Sequence, residues 1–174
     1  MGLTFAQIDK TPIGTLSFSA GERGLRGVAF MKLETFKLEF NLNDDKPSLA
    51  GWNTIGNLLV EVNAYLQGLQ QVFTVDIDWE YLTGFQRQVL QVTCEIPYGQ
   101  VLTYGAIADQ LGKPGAARAV GMALGRNPMP IVIPCHRVVG SDFALHGYLG
   151  GKDINAFLLS LEGHTISNHK LVRS

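Results

Sequence analysis

The spacing of apolar positions changes part-way along the chain. Residues 5–8, 13–18 and 25–30 alternate or run apolar between turn signals at Thr11-Pro12, Gly14, Gly21 and Gly24, which predicts three short strands. Residues 41–51 are polar, and Asp44-Asp45-Lys46-Pro47 within them reads as a loop. Trp52, Ile55, Leu58, Leu59, Val62 and Leu66 then recur at helical spacing, which predicts a helix over residues 52–68. Residues 72–77 read as one more strand. Charge and pattern both change over residues 78–83, so the domain boundary is placed there. Residues 1–82 then form a small α/β domain, an antiparallel sheet plus helix, and residues 83–174 a mainly α domain.

The second domain opens with Thr83, a good N-cap, before a helix whose apolar face is Phe85, Val89, Leu90 and Val92 and which ends near Cys94. Ile96-Pro97-Tyr98-Gly99 is a turn. Thr103 caps a short helix over 104–111 with Ile107, Ala108 and Leu111 inward. Gly112-Lys113-Pro114-Gly115 breaks it, and a small-residue helix over 116–125 follows, with Val120 and Leu124 inward. Two short helices about a Gly/Pro turn have the form of a helix-turn-helix, although plain packing gives the same pattern. Ala116, Ala117, Ala119, Gly121, Ala123 and Gly125 permit close approach of a neighbouring helix or of a nucleic-acid groove. Arg118 is the long cation near the start of that helix. Ile131-Val132-Ile133 predicts a short buried strand, and residues 140–151 a glycine-bearing loop or hairpin. Residues 152–162 predict an amphipathic helix carrying Ile154, Phe157, Leu158 and Leu161, ended by Gly163. Residues 164–174 are polar and read as a flexible tail.

With 174 residues, 46% hydrophobic and 17% charged, the chain has enough apolar material for a filled core. No apolar run approaches the ~20 residues of a membrane span, and residues 1–5 lack the basic and apolar regions of a signal peptide. Two cysteines do not make a disulfide framework. These features predict a cytoplasmic protein with reduced thiols and no membrane partner. The net charge is −1, but it is unevenly placed. Residues 1–82 carry ten acids and six bases; residues 83–174 carry five acids and eight bases. No acid lies between Asp109 and Asp142, whereas Lys113, Arg118, Arg126 and Arg137 do. Such a stretch is either a footprint for a polyanion or an unevenly charged solvated surface.

The candidate chemistry centres on Pro134-Cys135-His136-Arg137. A thiol must become a thiolate to act as nucleophile or ligand, and a neighbouring histidine or cation promotes that. Cys135 is therefore a nucleophile, a metal ligand or an inert core thiol; Cys94, on an apolar helix face, fits the inert reading. Adjacent residues of a strand point to opposite sides, so His136 serves the sulfur only if the chain turns there or a water bridges the two. A structural zinc needs four ligands, and the other histidines, His146, His164 and His169, stand in unrelated contexts. No metal site is expected. A histidine base needs an acceptor that holds its tautomer. Downstream of His136 the carboxylates are Asp142, Asp153 and Glu162. Glu162, near the C-terminal end of a helix, gains nothing from the helix dipole; it is either a partner for His136 or an ordinary surface glutamate. Asn127, before Pro128, is either a turn residue or an amide that stitches the small-residue helix to the Cys135 segment.

Arg126-Asn127-Pro128, Ile131-Val132-Ile133-Pro134-Cys135-His136-Arg137-Val138-Val139, Gly147-Tyr148, Gly150-Gly151 and Leu161-Glu162-Gly163 together resemble the O6-alkylguanine-DNA alkyltransferases. Ile96-Pro97-Tyr98-Gly99, Thr103-Tyr104 and Ala117-Arg118-Ala119-Val120-Gly121 match the upstream part in order and spacing. The resemblance covers residues 84–163; residues 1–82 share only the β-rich pattern. It implies a ribonuclease-H-like N-terminal support domain and a helix-turn-helix domain that holds both DNA and chemistry. It implies a single-use repair protein in which Cys135 takes the alkyl group from O6-alkylguanine, and more weakly from O4-alkylthymine, in duplex DNA after base flipping. His136, through a water, would take the thiol proton, and Glu162 would hold His136. Asn127 would link the helix-turn-helix to the site, and Tyr104 would donate toward guanine N3. Arg118 would fill the gap left by the flipped base, while Ala117, Gly121, Arg126 and Lys113 complete the DNA surface. Val138, Tyr148, Leu149, Gly150 and Arg137 would form the base pocket. No cofactor and no obligate protein partner are implied, and the protein would act as a monomer. Phe143 stands where the family pattern carries glycine, and His146 where a small or polar residue is usual; both bear on pocket width. The competing readings are a non-catalytic lesion-sensing or helix-turn-helix DNA-binding protein, and a Cys-His-Glu acyl hydrolase.

Overall fold

The computed structural model describes residues 2–43, 46–82 and 84–172. The predicted loop at Asp44-Asp45 and the predicted cap at Thr83 lie outside the described residues. The chain divides into two compact units, Met1–Tyr81 and Leu82–Ser174.

In the first unit, β1 (Thr4–Thr11), β2 (Gly14–Gly21) and β3 (Gly24–Ala29) form an antiparallel meander in the order β1-β2-β3. Phe18 of β2 lies opposite Ala6 on one side and Val28 on the other. The central strand is buried on both faces: Leu16, Phe18 and Ala20 on one, Ser17 and Ser19 on the other. Helix α1 (Leu33–Glu39) and helix α2 (Leu49–Leu66) supply the two covers. A Cβ added at Gly51 of α2 would meet the Thr4 side chain, and one added at Gly27 would meet Ser19 and Phe36 of α1. The sequence reading contains no α1, because its seven residues bury only Phe36 and so show no period.

Helix α2 begins three residues before Trp52, since Ser48 Oγ accepts from Gly51 N at 2.9 Å and closes the orphan donors there. Ile55, Leu58, Val62, Tyr65 and Leu66 form its buried stripe. Trp52 does not belong to that stripe; it is 51% exposed. The predicted strand over residues 72–77 is also absent. Glu61 instead accepts from Thr74 N at 3.0 and 3.1 Å and from the Thr74 hydroxyl, holding this segment extended. Only its end reaches the sheet, through a single parallel bridge between Ile77 and Leu25. Buried Asp78 follows, accepting from Arg26 Nε at 2.7 Å.

The second unit begins with α3 (Gly84–Cys94), then β4 (Leu102–Thr103), α4 (Tyr104–Gln110) and α5 (Ala117–Leu124). Thr103 Oγ1 accepts from Ala106 N at 3.1 Å and starts α4. Val89, Leu90, Ile107, Ala108, Val120 and Leu124 are buried where these three helices pack. Ile131-Val132-Ile133 is buried, but it is a tight turn and not a strand. Ile133 N donates to Met129 O at 2.8 Å, and Ile131 takes φ of 76°. Pro128 and Pro130 offer no ladder donors, so the apolar run cannot propagate as a strand. A β-branched residue at positive φ stores strain of about 1–3 kcal/mol, a feature that clusters at functional sites. Residues 135–137 form one 3-10 turn, and β5 (Val138–Val139) pairs in parallel with β4. Helix α6 (Lys152–Leu161) follows a loop and ends at Glu162, with Gly163 at φ of 91°.

Residues 164–172, read in the sequence as part of a flexible tail, carry a hairpin. β6 (Ile166–Ser167) and β7 (Lys170–Leu171) form a hairpin whose loop residues, Asn168 and His169, both have positive φ, as a type I′ turn requires. Leu171 N donates to Phe143 O at 3.0 Å and Leu145 N to His169 O at 2.8 Å. Leu171 thereby joins Val139, Leu145 and Leu159 in a second small core, with Phe143 against it.

Candidate active site

The site lies within the second unit. Cys135–Arg137 form a 3-10 turn, so their successive side chains do not alternate across a sheet. Cys135 is buried. Asn127 Nδ2 donates to Cys135 Sγ at 3.2 Å and to Ile133 O at 3.0 Å, while Asn127 Oδ1 accepts from Met129 N at 3.0 Å. One buried amide thus ties the end of α5 to the turn and to the sulfur.

Burial pushes the Cys135 thiol up to about 11, with the Asn127 bond and nearby backbone donors pulling the other way. At neutral pH the resting group is therefore a thiol. Forming the thiolate there costs about 5 kcal/mol, so proton removal must be coupled to the reaction. Cys94 is pushed still higher, to about 12, by burial; it is the inert thiol of the pair.

His136 is fully buried, and its Nε2 lies 2.9 Å from Glu162 Oε1. Burial holds the imidazole below its ordinary pKa, against the opposing pull of Glu162. A neutral ring facing a carboxylate with Nε2 carries its proton there, which leaves the basic lone pair on Nδ1. Glu162 is the hub. Arg137 Nε donates to its two oxygens at 3.1 and 3.0 Å, Arg137 Nη2 to Oε1 at 2.8 Å, and Gly99 N to Oε2 at 3.0 Å. Arg137 Nη1 donates to Ile96 O at 2.6 Å. The guanidinium is therefore spent on Glu162 and on the 96–99 turn, and it acts on His136 through the carboxylate.

The role of the Ile96-Pro97-Tyr98-Gly99 turn was not legible. Its residues cradle Glu162 across 63 positions of chain, and Tyr98 Oη donates to Leu161 O at 2.7 Å. Gly99 has φ of 75°, and a Cβ there would sit 3.2 Å from Glu162 O. The positive φ favours glycine, and the tight approach to Glu162 O adds to that preference. The Pro-Tyr-Gly spelling announces a turn but not what the turn holds.

A buried thiol followed in sequence by a histidine that is paired with glutamate, the glutamate in turn held by arginine, fits a cysteine nucleophile. The comparisons narrow this further. Residues 84–164 match the family model described as 6-O-methylguanine DNA methyltransferase, DNA binding domain. A methylated-DNA–protein-cysteine methyltransferase of Methanosarcina barkeri is 38% identical over 163 residues, 93% of this chain and 99% of that one. The chain belongs to the methylated-DNA–protein-cysteine methyltransferase family.

Among solved structures, Mycobacterium tuberculosis O6-methylguanine methyltransferase is 37% identical, covers 92% of both chains and superposes with a TM-score of 0.77. The M. tuberculosis OGT in complex with DNA is 36% identical over 91% of both chains, with a TM-score of 0.74. In this methyltransferase family member, Tyr104 opens α4, and its phenol is raised first by burial and then by the charge of a thiolate at Cys135. Tyr104 thus stands within electrostatic reach of the sulfur. The Tyr148 ring lies edge-on to His136, with centroids 6.4 Å apart. Val138 is buried, Gly150 half-buried, and Leu149 exposed on the same loop. Arg118 and Arg126 are exposed, and the Lys113 ammonium sits 5.4 Å from the centre of the Phe85 ring. A Cβ at Gly121 would touch the Tyr104 ring at 3.8 Å, so the small face of α5 abuts Tyr104. Ala117 is half-buried at the start of that helix. Phe143, at φ of 59°, packs against the second core, and His146 is exposed, 3.6 Å from Asp142. Among the described residues, no group of three His, Cys, Asp or Glu is placed to hold a metal ion, and no helix is long and apolar enough to cross a membrane.

Proposed function

We propose that this protein repairs DNA by moving the alkyl group of O6-alkylguanine onto Cys135 in one irreversible step. The observation that carries the reading is the buried thiol held by Asn127 on the same turn as a neutral His136 backed by Glu162. The Cys135 proton passes through a water to His136 Nδ1 as the sulfur attacks the alkyl carbon. The S–C bond forms while the C–O6 bond breaks. Tyr104 passes its phenol proton to guanine N3 as the C–O6 bond breaks, so the guanine leaves neutral, and the proton taken by His136 returns through water to the phenolate. No cofactor enters the step. An alkyl carbon is a soft centre, and a thiolate is the suitable side-chain nucleophile for it. The product is a stable thioether, so each molecule acts once.

A base stacked in a duplex is out of reach and must be flipped, at a cost of about a few kcal/mol. Helices α4 and α5 around the Gly112–Gly115 turn are read as the helix-turn-helix, with α5 in the minor groove and Arg118 in the vacated stack. Ala117 and Gly121 allow close approach, and Lys113 and Arg126 face phosphates. Val138, Tyr148, Leu149 and Gly150 are read as the base pocket. The antiparallel meander covered by α2 supports the ribonuclease-H-like reading of the first unit, whose part is to support the second. A reduced cytoplasmic setting and action as a monomer complete the proposal.

Incubation with duplex carrying O6-methylguanine, followed by intact-mass and peptide mapping, tests it. One methyl group, mapped to Cys135, is expected. Binding without transfer would leave only a lesion-sensing protein, and turnover of a small ester would favour a hydrolase.

A further inference from the structure

Helix α5 turns Val120, Ala123 and Leu124 inward. Its outward ridge is set by Arg118 and Met122, four residues apart and therefore stacked on one face. The other residues flanking that ridge, Ala119, Gly121 and Gly125, are small. Met122 is the exception: a long apolar side chain, 60% exposed, in the middle of a face otherwise built for close approach to a polyanion. Exposed Arg118 and Arg126 stand four residues before and after it in the chain, which matches the charge of a duplex and not that of an apolar partner.

We infer that Met122 is a second DNA-deforming side chain, an apolar wedge that unstacks a base step beside the one opened by Arg118. This rests on the reading of α5 as the DNA-facing helix. Four residues of helix advance about 6 Å, or roughly two base steps at about 3.4 Å each. With α5 lying along the minor groove, the wedge falls about two steps from the flipped base. Apolar side chains inserted from the minor groove partly unstack a step and kink the duplex, and the kinked form exposes more surface to the protein. An unbranched thioether has the flexibility to follow such a step. The wedge lowers the cost of base flipping without touching the reacting atoms, so Met122 is a positioning residue.

The test compares Met122→Ala, Met122→Leu and Arg118→Ala in the full chain. The readouts are the ratio of transfer rates from duplex O6-methylguanine and from free O6-benzylguanine, and the fluorescence of 2-aminopurine two steps from the lesion. Fluorescence is read in a Cys135→Ser background, where the complex persists without transfer. Met122→Ala is expected to lower the rate ratio about tenfold, the scale of losing part of one buried methionine side chain, and to dim the 2-aminopurine. Met122→Leu restores both. If Met122→Ala matches wild type in both readouts while Arg118→Ala lowers the ratio, the wedge is wrong and the DNA-facing role of α5 stands. If Arg118→Ala also leaves the ratio in place, that role falls and the wedge falls with it.

Discussion

Replacing Glu162 by glutamine changes little in shape and much in charge. The carboxylate accepts from Arg137 Nε and Nη2, from Gly99 N and from His136 Nε2, all within 3.1 Å. A glutamine keeps one acceptor oxygen and turns an NH2 group toward donors. Buried Arg137 then loses its counter-charge. Breaking a buried pair by removing one partner costs about 3–5 kcal/mol. For a chain of this length each kcal/mol lowers Tm by about 2–4 °C, so Tm should fall by about 10 °C. Chemistry should suffer separately. Glu162 raises the basicity of His136 and orients its tautomer, and a positioned general base contributes about 10²–10⁴-fold. At 15 °C, with the variant still folded, single-turnover transfer to Cys135 should slow by about a hundredfold. Differential scanning calorimetry and rapid-quench transfer measure the two effects. An unchanged Tm would refute Glu162 as the anchor of Arg137. A lowered Tm with a wild-type rate would refute the His136–Glu162 pair as part of the proton path.

Asn127→Ala removes the side-chain donor at 3.2 Å from the sulfur, so the thiol should rise above about 11; transfer should slow about tenfold, and the limb of its pH profile that climbs with pH should move to more alkaline values. The raised thiol also sets an alkaline stability limit. Between about pH 9 and 11 the unfolded chain loses the Cys135 proton while the folded chain keeps it. The folded state then binds more protons, and stability falls as pH rises. Cys94 acts with the same sign, so urea titrations at pH 7 and pH 10.5 should show a smaller loss in Cys135→Ala than in wild type, and parallel losses would contradict the assignment. Leu171→Ala should cost about 2–4 kcal/mol in urea unfolding, because the hairpin residue is buried in the second core; a change under 0.5 kcal/mol would mean that the hairpin does not pin the 143–145 loop.

Much of the local structure is written in the order of residues. The three strands follow from short apolar runs between glycine and proline turns, and α2, α3, α4 and α6 from helical periods, with Thr103 starting α4 and Gly163 ending α6. Hydrophobic period misleads where an element is shorter than its period or where donors are missing. Helix α1 buries one residue and shows no pattern. The run at 131–133 is apolar like a strand, but prolines on its flank and positive φ at Ile131 make it a turn. The last hairpin is polar in sequence and owes its order to Leu171, one side chain that finds a core 26 positions away at Leu145.

By itself the sequence marked the candidates for chemistry. Pro-Cys-His-Arg, Asn127 and the glutamate before Gly163 are local spellings, and the acid-free stretch from Lys113 to Arg137 is a matter of counting. Tertiary structure alone decided how they meet. The segment 135–137 is a 3-10 turn rather than the end of a strand, and only folding carries Glu162 onto the 96–99 turn. It also set Arg137 against the Glu162 carboxylate. The reason is physical. Capping and periodicity are interactions between near neighbours, which a string of residues records. A buried charge must find its partners anywhere in the chain, because leaving it alone out of water costs several kcal/mol. That requirement joins positions 99, 136, 137 and 162, which no spacing rule connects.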